Sequence, residues 1–241
     1  EFIISIKNHD LRSSQMTAKD RAISLEAGDE DSCAKFEEIN DISSAEFQAA
    51  MKIYTTSFPE NERRPFASIE AIILSGKARL IIGCMDNQVV LMALLYPVTG
   101  TTFMLVDYLA IAEEYRGRGL GQKFIKDLFN TIDGTEFQYL LVEIENPYMD
   151  RDEVKARRAR FYRRLGLKEL VGLRYLLPPL KGTTPTEMIL MVLSRVDGDY
   201  LDGQWIRDII VRIFGELYHR GVDDEILASI LSGVPDQIKL A

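Results

Sequence analysis

Residues 102–132 constrain the fold of this chain more than any other stretch, because they contain a strand pattern, a glycine-rich turn and a helix pattern in direct succession. Segment 103–112 is aliphatic and aromatic and contains neither Gly nor Pro, which is typical of a buried strand. From residue 120 onward, apolar residues recur at helical spacing. They are Leu120, Phe124, Ile125, Leu128, Phe129 and Ile132. The glycines of the turn 116–121 therefore lie where a strand leads into the first turn of a helix.

This turn has the properties of a phosphate-binding loop. A helix N-terminus presents unpaired N–H groups and the positive end of the helix dipole, and glycines allow a ligand to approach the backbone closely. Arg116 and Arg118 add positive charge. The alternative is a tight turn whose glycines serve only the backbone angles. A dinucleotide-binding turn is excluded because Gln122 stands where a small residue is required, and a P-loop is excluded because Gly-Lys-Ser/Thr is absent.

The turn resembles the R/Q-x-x-G-x-G/A signature of the GNAT superfamily of acyl-CoA N-acyltransferases. Arg116, Gly119 and Gly121 occupy its three defining positions. Residues 160–167, Arg-Phe-Tyr-Arg-Arg-Leu-Gly-Leu, resemble the FYxxxGF segment of the same family, in which a helix carrying a tyrosine ends at glycine. The two motifs occur in the family's order with one predicted strand between them. The resemblance covers roughly residues 33–195.

The resemblance implies an α/β (α+β) GNAT fold with a mixed, mostly antiparallel sheet of six to seven strands flanked by helices. We expect residues 1–32 to form an N-terminal extension, 33–196 the N-acetyltransferase domain and 197–241 a C-terminal helical appendage. The appendage contains two apolar helical stripes separated by Gly221. These stripes must be buried on the chain's own core or on a second subunit, so a homodimer through the C-terminal helices is one expectation.

The resemblance also implies acetyl-CoA as the co-substrate. The backbone of Leu109, Ala110 and Ile111 would pair with the pantetheine arm as if it were an added strand. The N–H groups of the turn would hold the pyrophosphate. The turn residues concerned are Arg116, Gly117, Arg118, Gly119, Leu120 and Gly121. One or two arginines of the helix 153–165 are expected to meet the adenosine 3′-phosphate, the others forming a solvated face.

The implied reaction is direct transfer of an acetyl group to an amine, which requires a base and an acid. A lysine-type amine has a pKa near 10.4, so only about a thousandth of it is neutral around pH 7.4. Glu143 is the first candidate for the base, because some family members carry a base glutamate on this strand. Asp107 and Glu145 are candidates for holding a water relay. A polar residue on a solvated sheet face is the alternative for all three.

Tyr162 is the candidate acid. The resemblance places it where its hydroxyl would protonate the departing thiolate, and its unperturbed pKa near 10 keeps it protonated at neutral pH. The alternative is a core aromatic packed beside Phe161. Two features depart from the family pattern: Lys155 and Arg158 replace a common Asn and Ala, and the loop 146–152 is longer than usual. These departures affect the substrate contact and part of the co-substrate contact, but not the fold.

A charged turn at residues 58–66 lies between two predicted helices, and in GNAT proteins this connection borders the acceptor site. A solvated loop is the alternative. If the turn contacts the substrate, its candidates are Glu60, Glu62, Arg63 and Arg64.

Composition excludes several classes of function. A net charge of −8 argues against nucleic-acid binding and permits a cationic substrate. No apolar run approaches the roughly 20 residues that span a bilayer, and no convincing signal peptide precedes the domain, so a cytoplasmic protein is expected. Cys33, Cys84, His9 and His219 give neither a disulfide framework nor a metal-ligand spacing. We therefore expect reduced thiols, with Cys84 buried in its strand, and no metal.

The sequence thus predicts an acetyl-CoA-dependent N-acetyltransferase acting on a primary amine of a small molecule or a protein. The alternative is a non-catalytic acyl-CoA-binding module that serves as an interaction protein through its C-terminal helices. Transfer of a longer acyl or an aminoacyl group is a third option, which depends on the depth of the pocket.

Overall fold

The structure of the chain is a computed structural model that describes residues 24–25, 34–179 and 183–241. These residues form two compact units. The first contains residues 24–25, 34–96 and 106–133, and the second contains 97–105, 134–179 and 183–241. The expected N-terminal extension lies outside the described residues except for positions 24–25, and Cys33 and His9 lie outside them as well.

The first unit contains most of five strands and three helices. They are β1 (Ser24–Leu25), β2 (Lys35–Ile39), α1 (Ala45–Ser57), α2 (Phe66–Leu74), β3 (Arg79–Met85), β4 (Gln88–Pro97), β5 (Phe103–Ile111) and α3 (Leu120–Thr131). Strands β1 to β4 pair antiparallel in sequence order. The β3–β4 hairpin turns at Asp86 and Asn87, whose positive φ values of 49° and 60° are those of a type I′ turn.

The predicted succession of strand, turn and helix is confirmed. All nine residues of β5 are buried. Helix α3 buries Leu120, Phe124, Ile125 and Leu128 along one face, and the Phe124 ring packs edge-on against Phe36 at 5.2 Å. Burial of one apolar stripe is what stabilises a helix of this length, since isolated helices of about 12 residues are marginal in water.

The second unit contains six strands and three helices. They are β6 (Tyr139–Glu145), α4 (Glu153–Arg164), β7 (Lys168–Val171), β8 (Tyr175–Leu177), β9 (Thr186–Ser194), β10 (Tyr200–Asp202), α5 (Gly203–Leu217), α6 (Glu225–Ser232) and β11 (Gln237–Leu240). Strand β9 pairs antiparallel with β6, β7 and β8. Strand β11 pairs antiparallel with both β7 and β10.

The predicted fold class, antiparallel strands flanked by helices, is confirmed, but the described residues contain eleven strands rather than six to seven. One difference is the segment 168–176, predicted as a single strand. Gly172 breaks it with a φ of 83°, which gives β7 and β8. The other extra strands, β1, β10 and β11, have two to four residues each. Segments so short carry too few residues for an alternating pattern to be recognised.

Residues 197–241 pack within their own unit. The apolar stripe of α5, which includes Ile206, Ile210 and Ile213, is buried. At the start of the helix, Trp205 lies edge-on to Phe103 and Tyr139, whose rings stack with centroids 4.5 Å apart. The chain therefore covers this stripe itself, which was one of the two expected arrangements, and a homodimer stays a prediction. None of the helices among the described residues combines the length and apolar character needed to cross a bilayer.

Gly203 begins α5 at a point without room for a side chain. A Cβ there would lie 1.8 Å from the carbonyl oxygen of Pro235, and the Gly203 N–H donates to Asp236 O at 2.7 Å. Because the obstacle is backbone, we expect Gly203→Ala to lower the free energy of unfolding by about 1–3 kcal/mol, measured by urea denaturation. Gly215→Ala is the matched control, since a Cβ there meets none of the residues that the structure describes within 4 Å, and it should stabilise the helix by about 0.5–1 kcal/mol. Equal effects of the two variants would contradict this packing.

Candidate active site

The glycine-rich turn adopts a backbone that glycine takes most easily. Gly117 and Gly119 have φ values of 77° and 79°, and a Cβ at either would meet no atom of the described residues within 4 Å. Gly119 is the N-cap of α3, and no side chain in the described part of the chain caps the helix there. The first turn of α3 thus presents backbone N–H donors beside open space. This arrangement fits a phosphate group.

Arg116 and Arg118 hold the turn in place. The Arg116 guanidinium donates from Nε to Ile111 O at 3.1 Å and from Nη2 to Ser57 Oγ at 3.4 Å, which ties the end of β5 to α1. Arg118 donates to Glu114 O at 2.9 Å. The side chains predicted to contribute charge therefore also fix the backbone that would bind the ligand. Leu109, Ala110 and Ile111, the expected pantetheine partners, are buried on β5.

A buried ion pair joins the loop before α2 to β5. Arg64 Nη2 lies 2.9 Å from Asp107 Oδ2, with side-chain exposures of 2% and 0%. Tyr54 accepts a hydrogen bond from Arg64 N at 2.6 Å, and burial raises the pKa of its hydroxyl to about 12. Tyr108 donates to Glu62 O at 3.0 Å. Arg64 is therefore a buried anchor of this loop. Asp107, a candidate for a water relay, is paired with it.

A cavity of about 810 Å³ in the first unit lies between α1 and the β3–β4 turn, and Ala112, Glu113 and Glu114 also line it. Most of the residues that line it have polar or charged side chains. Cys84 lies on its wall, half-buried rather than buried as expected, with Sγ 3.8 Å from Glu37 Oε1. Burial, together with the Glu37 carboxylate, raises the pKa of this thiol to about 11. Cys84 is thus a protonated, weakly reactive thiol.

Glu143 is 2% exposed on β6, so it does not lie on a solvated sheet face. Tyr175 donates a hydrogen bond to Glu143 Oε1. Tyr218 also donates to the carboxylate, with its hydroxyl 3.0 Å from Oε1 and 3.2 Å from Oε2. Burial, followed by the negative charge of Glu143, raises the pKa of the Tyr175 hydroxyl well above its usual value. This hydroxyl therefore stays protonated and can donate.

Tyr162 lies on α4 and is fully buried, with its ring packed edge-on against Phe161 at 5.0 Å. Its hydroxyl has no hydrogen-bond partner among the described residues, so it is not one of the partners of Glu143. Burial raises the pKa of the Tyr162 hydroxyl above its ordinary value. A buried O–H group without a protein acceptor is uncommon, and it is available to a ligand.

Glu145, the second candidate relay carboxylate, is engaged by the two residues that depart from the family pattern. Arg158 Nη1 lies 2.8 Å and Lys155 Nζ 3.8 Å from its oxygens. Arg158 is itself buried. In this chain the two substitutions therefore form an ion-pair cluster that holds α4 on β6. Among the described residues no group of His, Cys, Asp and Glu could hold a metal ion.

Glu143 is recognisable as a candidate in the sequence, but neither of its tyrosine partners, Tyr175 and Tyr218, is. Tyr175 is 32 residues and Tyr218 75 residues further along the chain, and neither lies in a recognisable motif. Tyr218 directly follows α5, in the segment 197–241 that the sequence pattern predicts only as a helical appendage. Its contact with Glu143 depends on how α5 packs in the unit, and periodicity does not encode that packing.

Comparison with protein families and solved structures agrees with this architecture. Residues 76–169 match the family model of the acetyltransferase (GNAT) domain. The fold is similar to that of a GNAT-family protein from Bacteroides thetaiotaomicron, with a TM-score of 0.63 and 22% identity over 75% of this chain and 96% of that one. No curated protein matches the chain by sequence. The resemblance found in the sequence is thereby confirmed.

Two further solved structures share the fold at lower identity. One is an aminoglycoside 6′-N-acetyltransferase complexed with coenzyme A, with a TM-score of 0.53 and 13% identity over 68% of this chain and 98% of that one. The other is the ribosomal-protein-S18-alanine N-acetyltransferase from Escherichia coli, with a TM-score of 0.50 and 17% identity over 69% and 96%. At such identities the similarity establishes the fold alone.

Proposed function

We propose that this chain, whose residues 76–169 match the family model of the GNAT acetyltransferase domain, is an acyl-CoA-dependent N-acyltransferase that transfers an acetyl group directly to a primary amine. The observation that carries the proposal is the open glycine turn at the start of α3, where uncapped N–H groups border space that holds no atom of the described residues. The cytoplasmic location and a homodimer remain predictions from the sequence.

In this proposal the first unit holds the co-substrate. Acetyl-CoA would supply the acyl group as a thioester. The N–H groups of residues 116–121 would bind its pyrophosphate, with the helix dipole of α3 and the charges of Arg116 and Arg118 favouring the anion. The backbone of residues 109–111 would pair with the pantetheine arm. Because Arg116 already fixes Ile111 O, this edge is ordered before the ligand binds.

The second unit supplies the proton-transfer groups. Glu143 would act as the base that leaves the amine neutral, and the buried tyrosine hydroxyls that donate to its carboxylate would hold it in place. Tyr162 would hold a proton for the departing thiolate. Its raised pKa keeps it protonated at neutral pH, and the absence of a hydrogen-bond partner in the described chain leaves its O–H group available.

The acceptor is proposed to be a cationic amine, which must lose a proton before it attacks. The net charge of −8 supports attraction of a cation. Of the proteins that share the fold, one is an aminoglycoside N-acetyltransferase and another is a ribosomal-protein N-acetyltransferase. The fold therefore accommodates both small-molecule and protein amines as acceptors. A screen of polyamines, aminoglycosides and peptide N-termini for release of CoA thiol would distinguish these classes.

Binding of acetyl-CoA is the first test. At a concentration about 100 times its Kd, acetyl-CoA should stabilise the protein by about 2.7 kcal/mol and raise Tm by roughly 5–10 °C. Gly119→Trp should abolish this rise, because the indole would fill the space beside the α3 N–H groups.

Gly172→Trp is the matched control for that variant. Gly172 also has a positive φ, of 83°, and none of the described residues has an atom within 4 Å of its Cβ position, but it lies in the β7–β8 turn. It should lose a similar amount of backbone stability and keep the full response to acetyl-CoA. If the wild-type protein folds but responds to no acyl-CoA, the transferase assignment is wrong. If acetyl-CoA binds and no amine is acetylated, a non-catalytic acyl-CoA-binding module is the better description.

A further inference from the structure

Glu143 is enclosed by tyrosines from two elements distant in sequence. Tyr175 comes from β8 and Tyr218 from the end of α5, and both donate to the carboxylate. The two tyrosines are buried, with exposures of 0% and 4%. Phe214 packs edge-on against both rings, with centroids 6.2 Å from Tyr175 and 5.0 Å from Tyr218. The hydroxyls therefore have little freedom to leave the carboxylate.

A carboxylate in this environment depends on its donors. Burial disfavours the ionised form, and hydrogen bonds to the charged oxygens favour it. A donor that lies near both oxygens also restricts rotation of the carboxylate, because a rotated carboxylate would lose the bond. The hydroxyl of Tyr218, which lies near both oxygens, therefore helps to set how Glu143 is oriented.

We propose that Tyr218 is a positioning residue for Glu143, so that α5, which lies outside the matched residues 76–169, belongs to the catalytic apparatus of this chain. The inference rests on the proposed function, in which Glu143 is the base. Tyr218 itself need not touch the substrate, because it acts through the carboxylate. The C-terminal segment thus has a role beyond covering the core.

The other carboxylates of β6 and β9, Glu145 and Glu187, have partners of their own. Directly opposite on β9 is the apolar Leu190. On its own strand the nearest carboxylate is Glu145, which is engaged by Arg158 and Lys155 of α4. Helix α4 also carries Tyr162, Glu153, Arg157, Arg160, Arg163 and Arg164. Glu187 of β9 accepts a hydrogen bond from Asn146 at 2.9 Å.

The first experiment measures the carboxyl group without any substrate. In protein labelled with ¹³C at the glutamate carboxyl carbons, the Glu143 signal is identified by its loss in Glu143→Gln. Tyr218→Phe keeps the ring and removes one donor, so it should shift the Glu143 carboxyl resonance at a fixed neutral pH. Tyr200→Phe, at a 57% exposed tyrosine of β10, is the matched control and should leave the resonance unchanged. An unchanged Glu143 resonance in Tyr218→Phe overturns the proposal.

The second experiment connects this contact with turnover. In Tyr218→Phe, kcat/KM should fall by about tenfold, because the carboxylate loses one hydrogen bond. In a Glu143→Gln background, Tyr218→Phe should have no further effect, because the residue acts only through the carboxylate. Equal losses in both backgrounds would make Tyr218 a structural residue and overturn the proposal. Wild-type protein that acetylates no amine would instead remove the proposed function, while the carboxyl resonance would still report whether Tyr218 contacts Glu143.

Discussion

Replacement of Tyr162 by Phe is expected to lower kcat by about 10²- to 10⁴-fold while leaving the binding of acetyl-CoA nearly unchanged. The variant keeps the ring, which packs against Phe161, and removes only the hydroxyl. That hydroxyl has no hydrogen-bond partner among the described residues, so no hydrogen bond described within the fold is lost. The free energy of unfolding should therefore stay the same or rise slightly. Steady-state kinetics and thermal shift with acetyl-CoA measure the two effects separately.

The buried hydroxyl of Tyr162 also determines how the stability of the folded protein changes at high pH. Burial raises the pKa of Tyr162 in the folded protein above its value of about 10 in the unfolded chain, so the unfolded chain releases this proton first as pH rises. Above about pH 10 the wild-type protein should consequently lose stability faster than Tyr162→Phe. Below that pH, Tyr162 stays protonated and competent as an acid. A Tyr162→Phe variant with full kcat would show that the residue is only a core aromatic.

Asp107→Ala is expected to lower the free energy of unfolding by about 3–5 kcal/mol, because it leaves the buried Arg64 guanidinium without its carboxylate. The loss should appear in urea denaturation as a lower midpoint with a similar slope. The loop between α1 and α2 should loosen as well, because the Arg64 side chain no longer anchors it to β5. Faster amide exchange in residues 58–66 would report this loosening.

Two comparisons isolate the cost of the uncompensated charge. Asp127→Ala breaks the partly exposed Lys123–Asp127 pair within α3, and such pairs contribute less than about 1 kcal/mol. The double replacement Arg64→Met with Asp107→Leu removes both charges and should recover much of the loss. If Asp107→Ala proves no more costly than Asp127→Ala, the ion pair is not the anchor of this loop.

The parts of the fold that sequence reasoning predicted correctly are those with long periodic signals. β5, the glycine turn and α3 were recognisable because the apolar pattern changes from continuous to helical at the glycines, and β6 was placed at its observed bounds, Tyr139–Glu145. The break at Gly172 was missed because a single glycine inside an apolar run is compatible with a strand as well as with a turn. Strand β11 has four residues, too few to stand out between a helix and the end of the sequence.

The candidate site was predictable only where a motif encodes it locally. The turn 116–121 and Tyr162 lie in such motifs, and their roles remain proposals. The environment of Glu143 was not predictable, because its tyrosines arrive through a strand and a helix that are placed by tertiary packing. The burial of Arg64 was not predictable either. A charged turn between prolines is typical of a solvated loop, and its pairing with Asp107 is visible only in the structure.

Trp205 is the only tryptophan of the chain, and it lies in the second unit with its indole against Phe103 and Tyr139. Tryptophan emission excited at long wavelength is therefore a spectroscopic label of that unit alone, while circular dichroism follows the helices of both. A difference between the two melting curves would separate the loss of the unit that carries Glu143 from the loss of the unit that carries the glycine turn. The protein therefore carries an intrinsic fluorescent probe that is specific to its second unit.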